Sequence, residues 1–165
     1  MDDPLAFFLT WTTYGSWLPG DDRGWVQKSG QRKPPSTIRT EHSRQALVES
    51  VFKLTWPERQ LIENTIKEHC HFKGWYLHAV NCRTQHVHVV VTAPNRHPND
   101  VLIQLKAWCT RRLKERQIGL NIARSQLREN WWTQGGSKQR IYTNKSLEAV
   151  IEYVLEGQGD EPRNG

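Results

Sequence analysis

The sequence predicts an α+β domain built around an antiparallel sheet, and three observations carry that expectation. Short runs of aromatic and β-branched residues recur as strand candidates, amphipathic helical segments alternate with them, and the order is strand, helix, strand, strand, helix, strand, helix. The first six elements make a ferredoxin-like βαββαβ antiparallel sheet with helices on one face; the seventh is an appended C-terminal helix. With 165 residues the chain suits a single domain over 1–165, whose core would bury about 70% of the unfolded surface.

Residues 5–14 (LAFFLTWTTY) read as the first strand. Residues 15–36 turn to Gly, Pro, Asp and basic residues, with Trp17 and Trp25 embedded, and residues 41–54 suit a short helix; together they form a long insertion over 15–56. Thr55 and Glu58 have the spacing of a capping box, and Leu61, Ile62, Thr65, Ile66 and Cys70 then recur at helical intervals until Gly74. Residues 75–81 form a second strand, residues 82–85 a turn, and residues 86–93 a third strand. After Pro94 a second helix places Val101, Leu102, Leu105, Cys109 and Leu113 on one face, with Lys106, Arg111 and Lys114 away from it. Residues 131–143, holding Gly135 and Gly136, read as an edge hairpin or fourth strand, and residues 144–156 as a last helix ended by Gly157.

The net charge of +6 is unevenly spread. Between residues 96 and 145 eleven Lys or Arg face three acids, Asp100, Glu115 and Glu129, whereas the last twenty residues hold five acids and one Arg. A basic block beside Trp108, Trp131 and Trp132 suits nucleic acid, with cations on phosphates and rings under unpaired bases; a solvated basic helix fits the charge equally well. Nothing is long and apolar enough to span a bilayer, and the acidic start Met1-Asp2-Asp3 resembles no signal peptide. Cys70, Cys82 and Cys109 are odd in number and widely spaced, which argues against a disulfide framework or a zinc knuckle and for a reduced, cytoplasmic protein.

The most informative stretch is His86-Val87-His88, at the start of the apolar run Val89-Val90-Val91. In a strand, residues two apart share a face. Both imidazoles therefore leave one side together, as a candidate metal-binding pair on a rigid element, while Val87, Val89 and Val91 enter the other. In the βαββαβ order the first and third strands are central, so the pair lies mid-sheet. The last helix could supply further groups: its apolar stripe is Leu147, Val150, Ile151, Val154 and Leu155, with Tyr153 on the flank and Glu156 and Gly157 about one turn further on.

A strand bearing His-hydrophobic-His, followed by a basic helix and a C-terminal helix with one Tyr, resembles the one-tyrosine HUH transposases, with the closest similarity to the REP-associated tyrosine transposases. The resemblance runs through FFLTWTTYGSWLPGDDRGWV, LTWPERQLI, HAVNCRTQHVHVVVTAP and LEAVIEYVLEGQ. It implies that His86 and His88 bind Mg²⁺ or Mn²⁺ and that Tyr153 is the nucleophile. In such proteins a polar residue one turn after the Tyr, usually Gln or Asn, completes the metal site. This chain has Gly157 there, which leaves Glu156, Gln158 or water as the third ligand. The implied reaction is transesterification of single-stranded DNA through a covalent 5′-phosphotyrosine, on hairpin targets, by a monomer or homodimer in a prokaryotic, nucleoid-associated setting. Lys106, Arg111, Arg112, Lys114, Arg116 and Arg140 would then track the DNA backbone. Two alternatives stand beside this: a domesticated DNA- or RNA-hairpin-binding protein that no longer cleaves, and a metal nuclease that uses water.

Overall fold

The computed structural model describes residues 3–16 and 49–157, together with the backbone of residues 25–26 and 32–33. The elements are β1 (Ala6–Thr12), the short pair β2 (Trp25–Val26) and β3 (Arg32–Lys33), α1 (Trp56–Lys73), β4 (Tyr76–Cys82), β5 (His86–Thr92), α2 (Pro98–Gly119), a 3-10 turn (Arg124–Gln126), β6 (Ser137–Ile141) and α3 (Asn144–Glu156). Four strands form one antiparallel sheet in the order β4-β5-β1-β6, with β5 and β1 central. This is the ferredoxin-like arrangement the sequence predicts. Trp17 and most of the helix expected over 41–54 lie outside the described residues, and residues 49–54 are not helical.

Period-two alternation sorts the sheet into two faces. Phe7, Leu9 and Trp11 of β1 and Val87, Val89 and Val91 of β5 point to one side, all buried. There they meet Ile62, Ile66 and Cys70 of α1 and Val101, Leu102, Leu105, Cys109 and Leu113 of α2. The capping box forms as the sequence indicates: Thr55 Oγ1 accepts the Glu58 N–H, and the Glu58 carboxylate accepts the Thr55 N–H at 2.8 Å. Gly74 closes α1 with φ of 72°, a left-handed conformation that glycine adopts without strain. The buried face of α1 also takes in Arg59 and His69, which the apolar periodicity does not flag. His69 Nε2 lies 3.1 Å from Gln104 Oε1 and so ties α1 to α2.

The opposite face carries a second, smaller core. Ala6, Ala79, Val90, Ile141 and Val154 are buried there, with Phe8, Leu147, Val150 and Ile151 packed around them. Thus α1 and α2 share one face, and α3 covers part of the other. Leu155, placed on the apolar stripe by periodicity, is 55% exposed. It sits at the edge of the stripe, and so short a helix on a sheet buries only its centre line. Gly157 ends α3, donating its N–H to Tyr153 O at 3.0 Å, but at φ of −84° rather than in the left-handed cap expected of a terminal glycine.

The segment before β6 is held tightly. A Cβ placed on Gly136 would lie 2.7 Å from Thr10 O and 3.1 Å from Leu102 Cδ2, so a side chain there would push the chain off β1. The three cysteines are buried and joined in no disulfide, and burial raises the Cys70 thiol to about 12, which keeps it protonated and inert.

Candidate active site

The site is built on one rung across the sheet. Strand register places Ser137 opposite Thr10, Thr10 opposite His88, and His88 opposite Asn81, on four neighbouring strands. His86 lies two residues along β5, opposite Thr12. The His86 and His88 rings leave the same face, their centroids 5.8 Å apart and their planes 24° from parallel. His88 is only 7% exposed. Thr10 Oγ1 contacts its Nδ1 at 3.0 Å, which fixes the ring orientation and points Nε2 the other way.

Helix α3 brings Tyr153 to this rung. Its ring meets His88 edge-on, centroids 6.1 Å apart and planes at 82°, and meets Phe8 at 6.2 Å and 71°. Phe8 and His88 are themselves 6.0 Å apart, so three rings close a triangle. Tyr153 is still 48% exposed, which leaves it reachable from solvent while one edge is held. The helix is fastened at this end by Asn81, whose Nδ2 donates to Val154 O at 2.8 Å. Of the other tyrosines, Tyr14 follows β1, Tyr76 opens β4 with its ring beside His78, and Tyr142 precedes α3.

The donor chemistry fits a divalent ion: two imidazoles project from one rigid strand, and a hydroxyl holds the second. Imidazole nitrogen suits Mn²⁺ better than the harder Mg²⁺. Among the described residues, however, no group of three His, Cys, Asp or Glu is arranged to hold a metal ion, so Glu156 does not join the two histidines in such a cluster. Gln158 lies outside the described residues. Gly157 has no side chain to offer, and a Cβ there would come 3.2 Å from Tyr153 Cδ2.

The family model for IS200-like transposases matches residues 43–157, a span that takes in His86, His88 and Tyr153. The chain belongs to the IS200-like transposase family. Its partner is therefore DNA. A crystal structure of a candidate transposase from Deinococcus radiodurans R1 is also similar, with 15% identity, a TM-score of 0.48, and coverage of 98% of this chain and 95% of that one. No curated protein matches. No helix of the described residues is long and apolar enough to cross a membrane.

In this transposase the basic helix α2 and the His–Tyr cluster lie on opposite faces of the sheet. Several of its expected DNA-binding cations are engaged within the protein. Arg111 pairs with Glu115 at 3.3 Å and lies over the Trp108 ring, Arg112 approaches Glu68 at 3.5 Å, and Lys114 approaches Glu129 at 3.6 Å. Arg116 is half-buried, whereas Arg140 on β6 is exposed, its Nη2 3.3 Å from His97 Nε2. Of the three tryptophans considered as stacking platforms, Trp131 is core, packed edge-on against Phe52. Trp132 donates its indole N–H to Thr110 Oγ1, and Trp108 is 36% exposed but has Arg111 over its ring and His69 beside it. Thr10, Phe8 and Asn81 are the site residues that the sequence reading did not single out.

Lys106 proves to be a loop anchor. Its ammonium donates to Thr133 O at 3.0 Å and Gly135 O at 2.8 Å, and burial, with a smaller contribution from Lys138, lowers its pKa to about 8. Below about pH 8 the group is charged in both folded and unfolded chains, and the cost of burying that charge is fully present. Between about 8 and the ordinary value of 10.5 the unfolded chain binds more protons, so the folded state gains stability as pH rises. Urea unfolding at pH 7.5 and pH 10 is expected to show wild type gaining on Lys106→Met over that window. Equal slopes for the two proteins would contradict the assignment.

Proposed function

We propose that this transposase is a metal-dependent transesterase that nicks and joins single-stranded DNA at hairpin targets through a covalent 5′-phosphotyrosine on Tyr153. The observation that supports this reading is the edge-on contact of Tyr153 with His88, which sets the only helix-borne phenol of α3 beside a same-face histidine pair. His86 and His88 would hold Mg²⁺ or Mn²⁺, completed by Gln158 or water. When bound, the ion supplies charge neutralisation and a template for the phosphate oxygens.

The chain's own residues account for the rest. Tyr153 Oη attacks phosphorus, the P–O3′ bond breaks, and the departing oxygen takes up a proton to become a 3′-OH. The phenol gives up its proton in the same step. Because one phosphodiester replaces another of similar energy, a 3′-OH can reverse the attack and join strands without an external energy source. Phe8 and His88 hold the Tyr153 ring so that little orientational freedom is lost on the way to attack. One observation favours a second reading, a hairpin-binding protein that does not cleave: Gly157 brings no ligand.

The test is incubation of labelled single-stranded hairpin oligonucleotides with protein and Mn²⁺, followed by a denaturing gel. A shifted covalent band is expected, lost with EDTA and lost in Tyr153→Phe. Binding without a shifted band, indifferent to both changes, would favour the non-cleaving protein. Cleavage that survives Tyr153→Phe would favour a nuclease that uses water.

A further inference from the structure

We infer that Asn81 is a positioning residue for Tyr153, a role that rests on the proposed tyrosine chemistry. Asn81 stands on β4 directly opposite His88 of β5. Its neighbours Val80 and Cys82 pack toward the α1 and α2 core, so by alternation its side chain leaves on the α3 face. There Nδ2 donates to Val154 O at 2.8 Å, across 73 residues of sequence. Val154 is the residue after Tyr153, and it is the one fully buried residue of α3.

The carbonyls of a helix's last turn run short of intrahelical donors, so a side chain from outside can take hold of that turn at little cost. One amide thus ties the C-terminal turn of α3 to the strand rung that carries His88. Beside it, Leu147, Val150, Ile151 and Val154 pack apolar surface on the sheet and Tyr153 sets its ring against Phe8 and His88; packing of this kind resists separation but tolerates sliding and rotation. The Asn81 bond is directional and sets the rotation of the helix about its axis. That rotation decides where Tyr153 Oη lies relative to the histidine pair. Displacement of a reacting group by about 1 Å costs on the order of a hundredfold in rate.

Asn81→Leu keeps the size and removes the donor, Asn81→Ser shortens the reach, and Asn81→Gln retains an amide. Two readouts are needed. In hydrogen–deuterium exchange on the free protein, the amides of residues 153–157 are expected to exchange about tenfold faster or more in Asn81→Leu and Asn81→Ser, with β5 unchanged. In the covalent-adduct assay, the rate at saturating hairpin DNA is expected to fall about tenfold to a hundredfold. The DNA concentration giving half-maximal rate stays within about twofold, and Asn81→Gln recovers part of the loss. Unaltered exchange in the last turn overturns the tether, whatever the activity. Faster exchange with an unaltered adduct rate overturns the positioning role. If wild type forms no adduct at all, the tyrosine chemistry itself fails, and exchange still decides whether Asn81 holds the helix. Should Asn81→Leu fail to fold, as judged by its thermal melt, the Ser variant carries both measurements.

Discussion

His88→Ala is expected to lower Mn²⁺-supported adduct formation by at least about a hundredfold, with a matching loss in calorimetrically measured Mn²⁺ affinity. Two roles meet in this side chain. It is one of the two imidazoles of the candidate metal pair, and its ring forms one corner of the triangle with Phe8 and Tyr153. Truncation therefore removes a ligand and leaves a gap beside the nucleophile. His86→Ala separates the two effects, because the ring that meets Tyr153 edge-on is that of His88, and His86 lies two residues along β5 opposite Thr12. It is expected to lose metal affinity while the last turn of α3 stays as protected as in wild type. His88→Ala should lose both. The buried ring also contributes to stability, and its loss is expected to cost on the order of 2 kcal/mol, so both variants need a thermal melt beside the activity. Wild-type Mn²⁺ binding in the His86→Ala/His88→Ala double variant would make the pair structural.

Thr10→Val is expected to weaken Mn²⁺ binding by about tenfold to a hundredfold, the range found when an outer partner of a ligating histidine is removed. Valine keeps the branched shape but cannot hydrogen-bond Nδ1 of His88, which lies 3.0 Å from the hydroxyl. The ring is then free to turn, and its tautomer is no longer selected by Thr10. Because Thr10 sits on a central strand and valine favours strands, the fold should tolerate the change. A Thr10→Ser variant restores the hydroxyl and should recover most of the affinity. Equal affinity in Thr10→Val and wild type would show that the strand alone orients His88.

The fold was largely readable because its signals are local and repeated. The capping box at Thr55 and Glu58, the left-handed Gly74, and the alternating valines of β5 each name their own structure, and the βαββαβ order then places β1 and β5 at the centre. The histidine pair was readable for the same reason, since a spacing of two in a strand means one face. The support around the pair depends on register, which the sequence leaves open. Thr10 and Thr12 do alternate with Leu9 and Trp11, so a polar face on β1 was visible, but not that Thr10 would stand opposite His88. Asn81 is a poor strand former between Val80 and Cys82, a hint of a special role whose partner lies 73 residues away. The basic residues of α2 show what a charge count leaves open. Charge counts do not show that Lys106 would cap carbonyls, that Arg111, Arg112 and Lys114 would find acids, or that the helix would lie across the sheet from Tyr153.

The most direct test of the central claim is to identify the residue that becomes attached to DNA. Trypsin cutting after Lys145 and Arg163 releases a peptide over residues 146–163 in which Tyr153 is the sole tyrosine, while Tyr142 falls in a separate fragment. After reaction with a hairpin oligonucleotide and Mn²⁺, nuclease trimming and tandem mass spectrometry should find a 5′-linked nucleotide on Tyr153. A nucleotide on any other residue, or cut DNA with every tyrosine unmodified, would contradict it.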